Sequence, residues 1–192
     1  MNLPNKITLS RIFLIPLFMV FAIPLPKYLF INESINLFFE NYGITIATFI
    51  FLLASVTDGI DGYIARKYKM VTNLGVFLDP IADKLMVSSA LLVLVELNKI
   101  SIWVAFIIIA REFIVTGIRL IAAKENKVIA ANNLGKVKTI VQIVAIVFAL
   151  TNNYPLSLIN NFPLYQILII ITITITIYSG WVYIRDNKNV LK

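Results

Sequence analysis

The chain has no histidine and no cysteine among its 192 residues, and only 14% of them are charged. The missing cysteines exclude disulfides and thiolate metal ligands, and the missing histidines remove both the usual general base and the commonest transition-metal ligand. Any proton transfer must fall to Asp, Glu, Lys or Tyr. The scarcity of charge excludes more: with 59% hydrophobic residues and a mean hydropathy of +0.88, a soluble domain would have far too little polar surface. The composition is that of a bilayer protein, and no repeat, low-complexity tract or second domain is visible in it. The apolar stretch Ile12 to Ile23 follows Arg11 closely, has no small-residue cleavage site behind it and precedes further apolar runs, so it reads as a retained span.

A spanning helix needs about 20 mostly apolar residues. Six such segments are predicted, near 11–30, 43–66, 78–97, 101–122, 134–152 and 163–184. Pro16, Pro24 and Pro26 predict a bent or early-ending first helix. Lys6, Arg11, Arg66, Lys67, Lys69, Arg119, Lys124, Lys127, Lys136, Lys138, Arg185, Lys188 and Lys192 all fall on one side of this arrangement. By the positive-inside rule, both termini and the connection after the second span are cytoplasmic. Trp103, Tyr178, Trp181 and Tyr183 suit an aromatic belt. The net charge of +7 is thereby assigned to topology and anionic lipid, and no nucleic-acid partner is expected. The expected fold is an all-α integral membrane protein, one domain over 1–192, built as a six-transmembrane-helix bundle with cytoplasmic N- and C-termini.

Carboxylates stand where a membrane protein normally has none. Asp58, Asp61, Gly62, Ala65, Arg66, Gly75, Asp79 and Asp83 form the array D-x2-D-G-x2-A-R-x8-G-x3-D-x3-D across the end of one apolar run and the start of the next. At average residue usage, a chance match of all these positions at a given start is on the order of 10^-10. Asp58 and Asp61 are three apart, Asp79 and Asp83 four apart, so on helices each pair shares a face. Two carboxylates about 4 Å apart repel by about 4 kcal/mol even at an effective dielectric of 20, so four together need cations. All-oxygen ligation selects hard divalent ions, Mg2+ or Mn2+ over zinc, and two pairs suggest two ions. The competing reading of Asp79, followed by Pro80, is a helix N-cap with proline at the first helical position. Capping does not explain Asp58, which lies within an apolar span. Gly59, Gly62, Gly75 and Ala65 keep the surrounding surface small, which fits either close ligand approach or tight helix packing.

The array resembles that of the CDP-alcohol phosphatidyltransferases, membrane enzymes that move a phosphatidyl or similar group from a CDP-activated donor to an alcohol. No position departs from that pattern. The resemblance implies that Asp58, Asp61, Asp79 and Asp83 hold two divalent ions and that Asp83 also acts as the catalytic base. It further implies that Gly62, Ala65, Arg66 and Gly75 make room for and contact the cytidine diphosphate of the donor.

The acceptor must be read outside the array. Arg111 and Glu112 interrupt the apolar run Ile102 to Ile121, and Arg119 lies two turns beyond. Gly135, Lys136, Lys138 and Thr139 open the fifth span, where backbone N–H groups and two ammonium groups suit an anion. The alternatives are cytoplasmic anchoring for Lys136 and Lys138 and an ion pair for Arg111. The stretches Asn2 to Arg11, Ile109 to Arg119 and Gly135 to Thr139 extend the resemblance along nearly the whole chain, toward the bacterial branch that uses glycerol 3-phosphate. That branch implies CDP-diacylglycerol as donor, release of CMP, a homodimer, and a multi-pass protein of the bacterial plasma membrane with its active site facing the cytoplasm. Arg111, Arg119, Lys136 and Lys138 are then the residues expected at the acceptor phosphate. Asn5 and Thr8 are expected to join the donor site at its mouth beside Arg11, with an interfacial anchor as the alternative. A sister enzyme with another acceptor shares the same array, and a cation transporter would also place acids in a membrane.

Overall fold

The computed structural model describes the backbone of residues 3–23, 33–67, 73–124, 133–159 and 162–188. Within these stretches the side chains of residues 3–4, 58, 60–66, 73–74, 76–77, 123–124, 133–134 and 136 lie outside the description. Among the described residues the chain is all helical: α1 Leu3–Ala22, α2 Glu33–Lys67, α3 Asn73–Glu96, α4 Ile102–Lys124, α5 Asn133–Leu150 and α6 Leu164–Asp186, with a short 3-10 turn at Leu156–Leu158. Asn5–Ala22, Glu33–Thr57 and Leu164–Asp186 are long and apolar enough to cross a membrane. The chain folds as two helical units, residues 1–99 and 100–192.

In the first unit α1 begins well before the predicted start at 11 and stops at Ala22, ahead of Pro24, while Pro16 is accommodated inside it. The buried positions Asn5, Thr8, Arg11, Ile15, Phe18 and Ala22 recur every three or four residues, so one face is polar in its first half and apolar in its second. Phe18 meets Phe51 of α2 with ring centroids 6.0 Å apart. The backbones come close above that pair: a Cβ on Gly43 would stand 2.6 Å from the Phe21 carbonyl oxygen, so only glycine fits. Helix α2 starts ten residues before the predicted 43, with Glu33 in its first turn complementing the helix dipole.

Helix α3 corrects the capping alternative. It starts at Asn73, so Asp79 and Pro80 lie well inside it rather than at its N-terminus. Gly75, Ala82, Met86, Ala90, Val93 and Leu94 are buried. The helix closes in a Schellman arrangement: Lys99 N–H donates to the Leu94 carbonyl at 2.8 Å and Asn98 N–H to Val95 at 2.9 Å, with Asn98 at φ 56° where glycine is usual.

In the second unit the buried positions of α4 are Ala105, Ile108, Val115, Ile118 and Ala122, and Arg111 and Glu112 fall in the middle of that series. Helix α5 buries Lys138, Gln142, Ala145, Ile146, Ala149 and Leu150; α6 buries Ile169, Thr172, Thr176, Ser179, Gly180 and Tyr183. Asn153 joins α5 to α6: its Oδ1 accepts from Tyr165 N–H at 2.8 Å, satisfying a first-turn donor, and its Nδ2 donates to the Phe162 carbonyl at 3.2 Å.

Candidate active site

The first unit places Asp79 and Asp83 one turn apart on α3, both partly buried. Thr8 of α1, 1% exposed, donates from Oγ1 to Asp79 Oδ1 at 2.6 Å. That bond ties the N-terminal helix to the aspartate array and fixes the orientation of one carboxylate. Asp83 Oδ2 receives Lys84 Nζ at 2.9 Å. Asn5 and Arg11 stand on the same face of α1 as Thr8 and are likewise buried. Arg11, 1% exposed, is therefore not an interfacial anchor, which would keep its guanidinium in water.

Asp58, Asp61, Gly62, Ala65 and Arg66 all lie on the last turns of α2, and their side chains are outside the described residues. The described acids alone do not make a group of three. Gly75 is buried in the first turn of α3. Among the described residues nothing comes within 4 Å of a Cβ built on Gly59.

The donor set present fits a hard cation. Asp79 and Asp83 offer carboxylate oxygens at helix spacing, and a hydroxyl donating to Asp79 is the kind of outer partner that holds a ligating carboxylate in place. Such a partner matters for affinity because it removes the rotation a ligand would otherwise lose on binding.

A second polar constellation lies within the second unit. Arg111 of α4 reaches α6, its Nη2 donating to Ser179 Oγ at 3.0 Å, and its Nη1 approaches Glu112 Oε1 at 3.5 Å. Glu112 also pairs with Lys138 of α5. Lys138 is 3% exposed, so it is neither a solvated anchor nor an open first-turn cation; its ammonium is engaged with the partly buried Glu112 carboxylate. Arg119, exposed, donates from Nε to the Tyr183 hydroxyl at 3.4 Å, with its guanidinium carbon 5.6 Å from the ring centroid. The Lys136 side chain lies outside the described residues.

Tyr183 corrects the aromatic-belt expectation. It is buried, packed beside Val115 and Ile118, whereas Tyr178 and Trp181 are exposed as belt residues are. Lys84, Ser179, Gly180 and the Glu112–Lys138 pair were not singled out from sequence. The available signal was small and polar residues inside an apolar run, Ser179-Gly180 above all.

The CDP-alcohol phosphatidyltransferase family model matches residues 1–178, spanning the aspartate array together with Arg111, Glu112, Arg119 and Lys138, and ending just before Ser179. The chain is 44% identical over 195 aligned positions to the CDP-diacylglycerol--glycerol-3-phosphate 3-phosphatidyltransferase of Bacillus subtilis (strain 168), covering 100% of this chain and 97% of that protein. It is 33% identical over 187 positions to the protein of the same name from Rickettsia felis, covering 97% and 96%. A CMP-forming cardiolipin synthase from Oryza sativa subsp. japonica is 37% identical over 166 positions, which are 79% of this chain and 46% of that protein. The chain belongs to the CDP-alcohol phosphatidyltransferase family.

Proposed function

We propose that the chain is a phosphatidyltransferase that moves the phosphatidyl group of CDP-diacylglycerol to glycerol 3-phosphate, releasing CMP and forming phosphatidylglycerophosphate for anionic phospholipid synthesis. The observation that carries this is an unbroken aspartate array within a chain 44% identical, end to end, to a relative named for that reaction. The rice relative, whose name indicates a different lipid product, supports a second reading in which the acceptor is a phosphatidyl lipid.

Asp83 is the proposed base. It takes the proton from a free hydroxyl of glycerol 3-phosphate, the hydroxyl oxygen forms a bond to the lipid-side phosphorus of the donor, and the bond from that phosphorus to the CMP oxygen breaks. Asp58, Asp61, Asp79 and Asp83 would hold two divalent ions, Mg2+ or Mn2+, which when bound offset the charge on the pyrophosphate and the departing CMP. Gly62, Ala65, Arg66 and Gly75 take the cytidine diphosphate, with Asn5 and Thr8 contributing from α1. Arg111, Arg119 and Lys136 take the acceptor phosphate, and Lys138 acts beside them through Glu112. In support, Arg111 Nε is buried with no hydrogen-bond partner among the described residues, a donor that costs about 1–3 kcal/mol unless something such as a phosphate oxygen accepts it.

The whole of 1–192 acts as one membrane domain, a reading supported by a family model that runs through both helical units. The six helices cross the bacterial plasma membrane with both termini and the array on the cytoplasmic side, and two copies form a homodimer. The charge distribution supports the orientation.

Two experiments test these assignments. Chelation is expected to abolish transfer and Mg2+ or Mn2+ to restore it, while Thr8→Val, which loses the bond to Asp79, is expected to raise the metal concentration needed for half-maximal rate by about 10-fold. Full activity in metal-free protein would remove the metal assignment. An acceptor panel of glycerol 3-phosphate, inositol phosphate, serine and phosphatidylglycerol, with the lipid product identified by mass, is expected to give transfer to glycerol 3-phosphate alone. Preferred transfer to phosphatidylglycerol would establish the second reading instead.

A further inference from the structure

Arginine is a long side chain with much rotamer freedom, and a cation that must meet a small phosphate gains from being held in one pose beforehand. Two adjacent residues of α6 do this for Arg111. The Ser179 hydroxyl donates to the Thr176 carbonyl at 3.2 Å, which turns its lone pairs toward the Arg111 Nη2 that donates to it at 3.0 Å. Gly180 follows: a Cβ there would stand 3.0 Å from Arg111 Cγ, 3.7 Å from Nε and 4.0 Å from Cδ. Carbon atoms pack best at about 3.5–4.0 Å, and Cγ is too near the α4 backbone to swing aside as a chain end does. The aliphatic stem of Arg111 therefore lies on bare α6 backbone while its head is hydrogen-bonded one residue earlier.

We propose that Ser179 and Gly180 form a seat for Arg111, as positioning residues that set the affinity for the phosphorylated acceptor without touching it. The seat rests on the reading of Arg111 as a phosphate-binding residue. It differs from ordinary small-residue helix packing, which would act on fold, donor and acceptor alike and would not depend on which cation occupies position 111. Gly180 supplies room and Ser179 supplies orientation, so the two fail separately: an added methyl at 180 displaces the stem, whereas loss of the hydroxyl at 179 frees the head.

The test measures KM for glycerol 3-phosphate at saturating CDP-diacylglycerol, and KM for the donor, on purified full-length protein in bilayer nanodiscs. The variants are Ser179→Ala, Ser179→Thr, Gly180→Ala, Arg111→Lys and the double variant Ser179→Ala/Arg111→Lys. Ser179→Ala is expected to raise acceptor KM about 10-fold, the scale of a hydrogen bond to a charged group, and Ser179→Thr to restore most of it. Gly180→Ala is expected to raise it at least as much, with donor KM unchanged in every case. In the Arg111→Lys background, Ser179→Ala is expected to cost less than about twofold, because the group it holds is gone. Acceptor KM unchanged in Ser179→Ala and Gly180→Ala, but raised in Arg111→Lys, would overturn the seat and leave the acceptor reading standing. No change in Arg111→Lys either would overturn both. Equal losses toward donor and acceptor, or the full Ser179→Ala cost in the Arg111→Lys background, would also overturn the seat. Should Gly180→Ala fail to fold, the Ser179 arm decides alone.

Discussion

Arg111→Ala is expected to bind CDP-diacylglycerol as the parent does and to lose most of its affinity for glycerol 3-phosphate. Truncating one partner of a buried, hydrogen-bonded charge pair costs about 2–5 kcal/mol, which at about 1.4 kcal/mol per decade is a rise in acceptor KM of roughly 30-fold or more. The structure adds a second contribution in the same direction. Without Arg111, Glu112 loses one of the cations that the described residues place beside it, so local charge turns less favourable to an anion. Arg111→Lys is expected to recover only part of the loss, because an ammonium keeps the charge but not the planar fork, which can reach Ser179 and still offer N–H donors to a phosphate. Arg119→Ala is expected to cost less, since Arg119 is exposed and screened by solvent. The check is acceptor saturation at fixed, saturating donor; a parent-like curve for both Arg111 variants would make that arginine structural.

Asp83→Asn is expected to lower turnover by at least about 100-fold while much donor binding survives. The amide keeps the size of the carboxylate and can still hydrogen-bond, but it cannot take a proton from the acceptor hydroxyl. Lys84 lies 2.9 Å from Asp83 in the native chain, and the variant removes the charge on one side of that contact. Single-turnover rate and donor binding, measured on the same preparation, separate the chemical loss from any loss of donor. Near-native turnover would assign the base to another group.

The family and the all-helical class are legible in the sequence, and the reasons are physical. The eight spaced residues of the aspartate array stand out because charge inside an apolar chain is costly and rarely accidental. Helix positions follow from apolar length, which is why the ends of α4, α5 and α6 fall within a few residues of expectation. Facing is a different matter. In helices that are apolar nearly all round, periodicity says little about which side meets a neighbour. Hence anchoring stands as an open alternative by sequence for Arg11 and Lys138, basic residues near the ends of apolar runs, whereas both are buried. Hence also Tyr183, which reads like Tyr178 and Trp181 but stands on the opposite, buried side of α6. The start of α1 was missed because Asn5, Thr8 and Arg11 look like a polar lead-in, whereas they form the polar half of a buried face, with Thr8 bonded to Asp79. Pairings such as Glu112 with Lys138, or Arg111 with Ser179, depend on which helices are neighbours, and no local spacing encodes that.

The central claim is phosphatidyl transfer by this chain, and isotope tracing tests it most directly. Purified protein is given CDP-diacylglycerol carrying labelled phosphorus on its lipid side, unlabelled glycerol 3-phosphate and a divalent metal. The account predicts that the label moves wholly into the phosphodiester of phosphatidylglycerophosphate, one equivalent of unlabelled CMP appearing for each lipid formed and none without the acceptor. Label remaining in the donor under these conditions, or appearing in a lipid that lacks the glycerol phosphate, would contradict it.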